Sequence, residues 1–95
     1  MFIFVKNAKY LKDYKIEVEF NDGKKGIVDL SDDLYGDIFE PLKDKKLFSK
    51  IKVDNDLETI TWENGADLAP EYLYYKSFQS NKELQEQFKQ WGYLN

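Results

Sequence analysis

The sequence predicts a small α+β domain: an antiparallel sheet built from two hairpins and an N-terminal strand, with short helices and a C-terminal amphipathic helix. Three observations carry this expectation. Ile16, Val18 and Phe20 alternate with Lys15, Glu17 and Glu19 ahead of Asn21-Asp22-Gly23, and period two before a glycine turn marks a half-buried strand entering a hairpin. Ile51 and Val53, then Ile60 and Trp62, bracket Asn55-Asp56 in the same way. Leu84, Phe88 and Trp91 fall at i, i+4 and i+7, a single stripe along a helix.

Taken in chain order, residues 2–9 form a first strand, moderately apolar on both faces. Residues 14–20 are the alternating strand, and Gly23 supplies the positive φ its turn needs. Residues 24–30 return as the hairpin partner, with Val28 and Leu30 on one face. Residues 31–37 read as a short helical turn or loop, with Ser31 as its N-cap and Gly36 as its end. Pro41 restricts the residue before it. Asp44 caps a short helix that carries Leu47 and Phe48 toward the core. Asn64-Gly65 ends the return strand of the second hairpin. Asp67 is placed to accept backbone N–H bonds at the next helix start, and Pro70 stands in its first turn, where a missing N–H is harmless. Tyr72, Leu73, Tyr75 and Phe78 give this helix a mixed aromatic surface. Ser80 to Glu83 fits a capping box for the last helix, and Gly92 stops it; its stripe can dock on the chain's own sheet, the favoured expectation, or on a neighbouring molecule.

Composition narrows function mainly by exclusion. A length of 95 residues makes one domain, 42% hydrophobic, 34% charged and 17% aromatic. A chain of this size buries only roughly 60–65% of its unfolded surface, so large rings matter to its core. The apolar run Met1–Val5 is too short to span a membrane, no basic region precedes it and no small-residue cleavage site follows it; no membrane association and a cytoplasmic location are expected. Cysteine and histidine are absent, which removes thiolate chemistry, disulfides, the usual neutral-pH general base and the commonest transition-metal ligands. No cofactor or metal is expected. Every basic residue is a lysine, so the planar guanidinium fork that reads phosphate and guanine is missing. The net charge of -4 gives no general attraction to nucleic acid.

Several groupings have a plain explanation. Asp29, Asp32, Asp33, Asp37 and Glu40 offer oxygen ligands for a hard cation, but acids near helix starts stabilise the first turn without one. Asp54, Asp56 and Glu58 match the opening of a calcium loop, which then fails: Thr59 stands where glycine is required and Gly65 where the bidentate glutamate belongs. Lys43, Lys45, Lys46, Lys50 and Lys52 form the only basic concentration; they could track a phosphate backbone, but a solvated face around Leu47 and Phe48 is the favoured reading. Phe2, Tyr10, Tyr14 and Tyr35 can be stacking platforms, but in a small chain core or half-exposed packing is the favoured account of them. No catalytic constellation is legible.

Asp13 to Val18, Phe20-Asn21-Asp22-Gly23, Gly26 to Leu30, Phe39 to Asp44 with Leu47-Phe48, and Trp62 with Asn64-Gly65-Ala66-Asp67-Leu68-Ala69-Pro70-Glu71 and Leu73-Tyr74 form a pattern. Together they resemble the bacterial domain-of-unknown-function 2442 family over about residues 3 to 75. The resemblance implies a small α+β protein without an established activity. Some family members resemble regulators in which this domain precedes a helix-turn-helix, and others lie beside genes suggestive of toxin–antitoxin pairs. Here one amphipathic helix follows residue 75, too little for a helix-turn-helix, and Glu63 stands where relatives often have proline. The expected organisation is therefore a family-like unit over residues 1–75 and a helical extension over 76–95 packed on the same domain.

The favoured expectation is a non-enzymatic protein-interaction or regulatory accessory module that binds a protein partner or a second copy of itself. Its candidate binding residues are Trp62, Asn64, Asp67 and Glu71, at a junction of elements where loops often carry function. One alternative is a nucleic-acid-linked regulator or antitoxin-like partner. Another is a carboxylate-dependent enzyme using Asp67, Glu71 or nearby tyrosines.

Overall fold

Alternation decides which side of each strand faces inward. In the computed structural model, which describes residues 2–94, strands β1 (Val5–Lys12), β2 (Lys15–Phe20) and β3 (Lys25–Asp29) pair antiparallel in that order. Met1, where the apolar run begins, lies outside the described residues. Ile16, Val18, Phe20 and Val28 are buried, whereas Lys9, Glu17 and Ile27 follow one another across the three strands, as do Asn7, Glu19 and Lys25. An antiparallel sheet with one wet face shows this division. β1 begins later than expected because Asn21 holds the residues before it: Phe4 N–H donates to Asn21 Oδ1 and Asn21 Nδ2 donates to the Phe2 carbonyl, each at 2.9 Å.

The second hairpin, β4 (Lys52–Asp54) and β5 (Thr59–Thr61), forms a separate two-stranded sheet. The α+β class is as expected, but the strands divide between two sheets. Thr59, Ile60 and Thr61 are all buried, and Thr61 is bridged by Asp67, so β5 runs through the interior. Val5 N–H donates to the Glu58 carbonyl at 2.9 Å and links β1 to this hairpin.

Four short-range expectations resolve differently. Ser31 opens a 3₁₀ turn, Ser31–Asp33, without capping it; its N–H instead donates to Asp29 Oδ1 at 3.0 Å. Asp44 does cap α1 (Lys45–Phe48), accepting from Lys46 N–H at 2.9 Å. Phe48 is fully buried there, but Leu47 stays 37% exposed, because one helical turn cannot turn two successive side chains to the same side. Helix α2 (Pro70–Phe78) begins at Pro70 behind Ala69, with no side-chain cap; the bridge to Thr61 takes Asp67 elsewhere. The cap before the last helix is Asn81, not Ser80: Asn81 Oδ1 accepts from Glu83 N–H at 2.8 Å and opens a 3₁₀ turn, Lys82–Leu84, that runs into α3 (Gln85–Gln90).

Gly92 ends α3 with φ 89°. Its N–H donates to the Lys89 carbonyl at 3.0 Å and the Tyr93 N–H to the Phe88 carbonyl at 2.9 Å, the paired bonds of a Schellman motif. Leu84 and Phe88 are buried, and the stripe docks on α2 where the sheet was expected. The Phe88 ring lies 5.2 Å from Tyr75, and Trp91 lies 6.0 Å from Tyr74. Asn81→Ala should therefore lower stability by about 1 kcal/mol, while Ser80→Ala changes it by less than about 0.5 kcal/mol. Urea unfolding of the two variants checks the assignment.

Candidate functional site

The geometry of a cleft follows from two glycines and one helix. Gly36, at φ 89°, turns the chain after the 3₁₀ turn at residues 31–33, and its carbonyl accepts from the Phe39 and Glu40 N–H groups at 3.2 and 2.8 Å. Asp33, Tyr35 and Phe39 come from either side of this turn. The Gly92 termination brings Tyr93 back over α2, where its ring stacks on Tyr75 at 5.0 Å and meets Tyr72 at 5.8 Å. Between them opens a cleft of about 400 Å³ lined by Asp33, Tyr35, Phe39, Leu68, Tyr72 and Tyr93, together with Ala69.

The carboxylate of the cleft is engaged by two neighbours on α2. Tyr72 Oη donates to Asp33 Oδ1. Lys76 Nζ stands 3.2 Å from Asp33 Oδ2, and both side chains are largely buried. Burial raises the Tyr72 phenol well above its ordinary pKa, and the bond to Asp33 and its charge add to this. Burial also raises Tyr93, assisted by the Glu71 charge. Both phenols stay neutral at physiological pH.

The four residues proposed from sequence occupy other positions. Trp62 is 3% exposed, and its Nε1 donates to the Phe48 carbonyl at 3.0 Å. Asn64 ties two segments together: Nδ2 donates to the Ile38 carbonyl at 2.8 Å and Oδ1 accepts from Ala66 N–H at 3.1 Å. Asp67 is exposed on the residue that bridges Thr61. Glu71 is half-buried in the first turn of α2. None of the four lines the cleft, although Leu68 and Ala69, between Asp67 and Glu71, do.

The other groupings also take up local roles. Asp54 Oδ1 accepts from Asp56 and Leu57 N–H at 2.8 and 3.0 Å, closing the β4–β5 turn. Lys43 pairs with Glu40 at 3.0 Å and Lys45 with Asp13 at 3.2 Å. Tyr10 and Tyr14 set their edges against Phe48, while Phe2 and Tyr35 are exposed. Among the described residues no three acidic side chains gather as a metal site would require, and no helix is long and apolar enough to cross a membrane.

Sequence reasoning missed the cleft as a unit, because its lining comes from three distant segments. One signal marks two of them. No lysine occurs between Lys25 and Lys43 or between Lys52 and Lys76, while these stretches hold five and six acids respectively.

A family model described as a protein of unknown function (DUF2442) matches residues 5–79. That span holds the residues that carry the resemblance and all of the cleft lining except Tyr93. Neither curated proteins nor solved structures gave a match.

Proposed function

The chain belongs to the family of proteins of unknown function called DUF2442, and from that premise we propose that it is a non-enzymatic interaction module whose aromatic cleft receives part of a partner protein. One observation supports this above the rest: the carboxylate in the cleft is held by Tyr72 and Lys76, leaving rings and Leu68 as the surface a guest meets. A reactive site needs a group poised to give or take a proton. A contact site needs desolvated apolar and aromatic area, which is where binding energy concentrates.

Tyr35 is 72% exposed, so removing it leaves the core intact. Tyr35→Ala should keep the wild-type unfolding midpoint yet weaken capture of the native partner about ten-fold or more, the loss expected at an aromatic anchor. Lys9→Ala, on the wet face of the three-stranded sheet, should change neither. Quantitative affinity purification from the host with the three proteins in parallel measures this. A partner retained equally by all three would remove the cleft from the proposal. Turnover of a small substrate that survives Tyr35→Ala would argue for a catalyst instead.

A further inference from the structure

Charge along this chain is segregated, and the cleft is lined almost wholly from its two lysine-free stretches. Residues 26–42 carry Asp29, Asp32, Asp33, Asp37 and Glu40 with no lysine; residues 53–75 carry Asp54, Asp56, Glu58, Glu63, Asp67 and Glu71 with none. All fourteen lysines lie outside these two stretches. Six of the seven residues lining the cleft come from them. Two segments without a cation are thus folded against each other across one opening, with the Lys76 ammonium drawn to Asp33. Asp32 and Asp37 stay exposed beside Asp33 and Tyr35.

The ring faces act in the same direction. Tyr35, Phe39, Tyr72 and Tyr93 contribute four aromatic rings to one cleft. An aromatic face carries negative potential and attracts an ammonium or guanidinium placed over it. Lys76 compensates Asp33, while the Glu71 charge falls on Tyr93 from the other stretch and Asp32 and Asp37 lie exposed close to Asp33 and Tyr35 in sequence. An anionic guest would meet acids on both lining segments, and a plain hydrocarbon would leave this field unused. We propose that the cleft binds a basic polypeptide segment, seating a lysine or arginine side chain over its tyrosine rings while the flanking acids engage neighbouring cationic residues. This rests on the cleft being the contact surface and names what it contacts.

The probes are short capped oligo-arginine and oligo-lysine peptides, with oligo-glutamine and oligo-glutamate of equal length and the single amine n-butylammonium. Amide chemical shifts of the isotopically labelled full chain are followed by NMR during titration. The basic peptides should shift the amides of Tyr35, Leu68 and Tyr72, and their affinity should fall at least about ten-fold between about 50 and 500 mM salt, as screening shortens the reach of surface charge. Tyr35→Ala should weaken them about five-fold, the equivalent of one exposed cation–π contact and its area. Asp37→Lys should do the same without touching a ring.

Equal binding by oligo-glutamine, or shifts confined to the wet sheet face, would overturn the assignment. So would n-butylammonium matching the peptides, because the occupant would then be a small amine. Concentration-dependent shifts without any peptide would point to the lysines of a second copy and overturn it as well. These failures differ from failure of the interaction reading: a captured partner that depends on Tyr35 but contacts the cleft through acidic or apolar residues leaves that reading standing and removes the cationic guest.

Discussion

Trp62→Ala should destabilise the fold by roughly 3–5 kcal/mol, the range for deleting a large buried ring. Against a total stability of about 5–15 kcal/mol for a native domain, that leaves a marginal protein. The indole packs between Phe39 at 6.4 Å and Phe48 at 5.7 Å, its Nε1–H donates to the Phe48 carbonyl, and its backbone N–H donates to the Ala66 carbonyl at 3.0 Å. The side chain thereby joins α1 to the end of β5, and the backbone of the same residue holds the Asn64-Gly65 turn. Trp62→Phe keeps part of the ring but leaves the Phe48 carbonyl without its donor, a loss of about 1–3 kcal/mol. Urea denaturation reads both, with midpoints falling while the slope stays near wild type. If Trp62 were a contact residue, the alanine variant would lose partner capture at unchanged stability. The two outcomes separate the sequence-based assignment from the structural one.

What the sequence discloses depends on how local the cause is. β2 and its turn were legible because alternation and Gly23 act within a few residues. Asp44 was legible because its partner, Lys46, is two residues away. Asn81 was not, because Ser80 and Asn81 are both good caps standing side by side, and the spacing to Glu83 favours serine only if the first turn is α-helical. The 3₁₀ turn at residues 82–84 shifts the choice by one residue. Asp67 was misplaced by a longer-range cause: its bridge to Thr61 brings it against β5, and no helix propensity expresses that. Trp62 and Asn64 were noticed because their stretch is distinctive, and the structure accounts for that by packing and turn formation. The cleft stayed hidden because Tyr35, Tyr72 and Tyr93 have no periodic relation; a loop turn, a helix and a helix stop bring them together.

Tyr74→Ala should cost a similar 3–5 kcal/mol, and Tyr74→Phe should expose a second, pH-dependent contribution. Tyr74 is fully buried. Its ring meets Phe20 of β2 at 5.0 Å, Phe78 of α2 at 4.9 Å, Phe88 at 6.3 Å and Trp91 at 6.0 Å. Truncation would detach α3 from the unit matched by the family, because the stripe of α3 lands on this ring and on Tyr75. The hydroxyl reaches the other way, donating to Asp22 Oδ2 at 2.7 Å in the β2–β3 turn, with Lys24 Nζ at 3.3 Å. Burial raises the phenol first, and the bond to Asp22 and its charge raise it further. The folded pKa therefore lies above the unfolded value of about 10. Below that value the stabilisation is fully present; as pH rises past it the unfolded chain ionises while the folded phenol resists, and stability falls. Urea midpoints measured from about pH 8 to about pH 11 should decline steeply for wild type above pH ~10. Tyr74→Phe should start lower by about 1–3 kcal/mol and decline less, with Tyr72 and Tyr93 left to supply the remaining slope. Parallel curves for the two proteins would mean that the Tyr74 hydroxyl contributes through packing alone and that the bond to Asp22 does not hold the sheet to the helices.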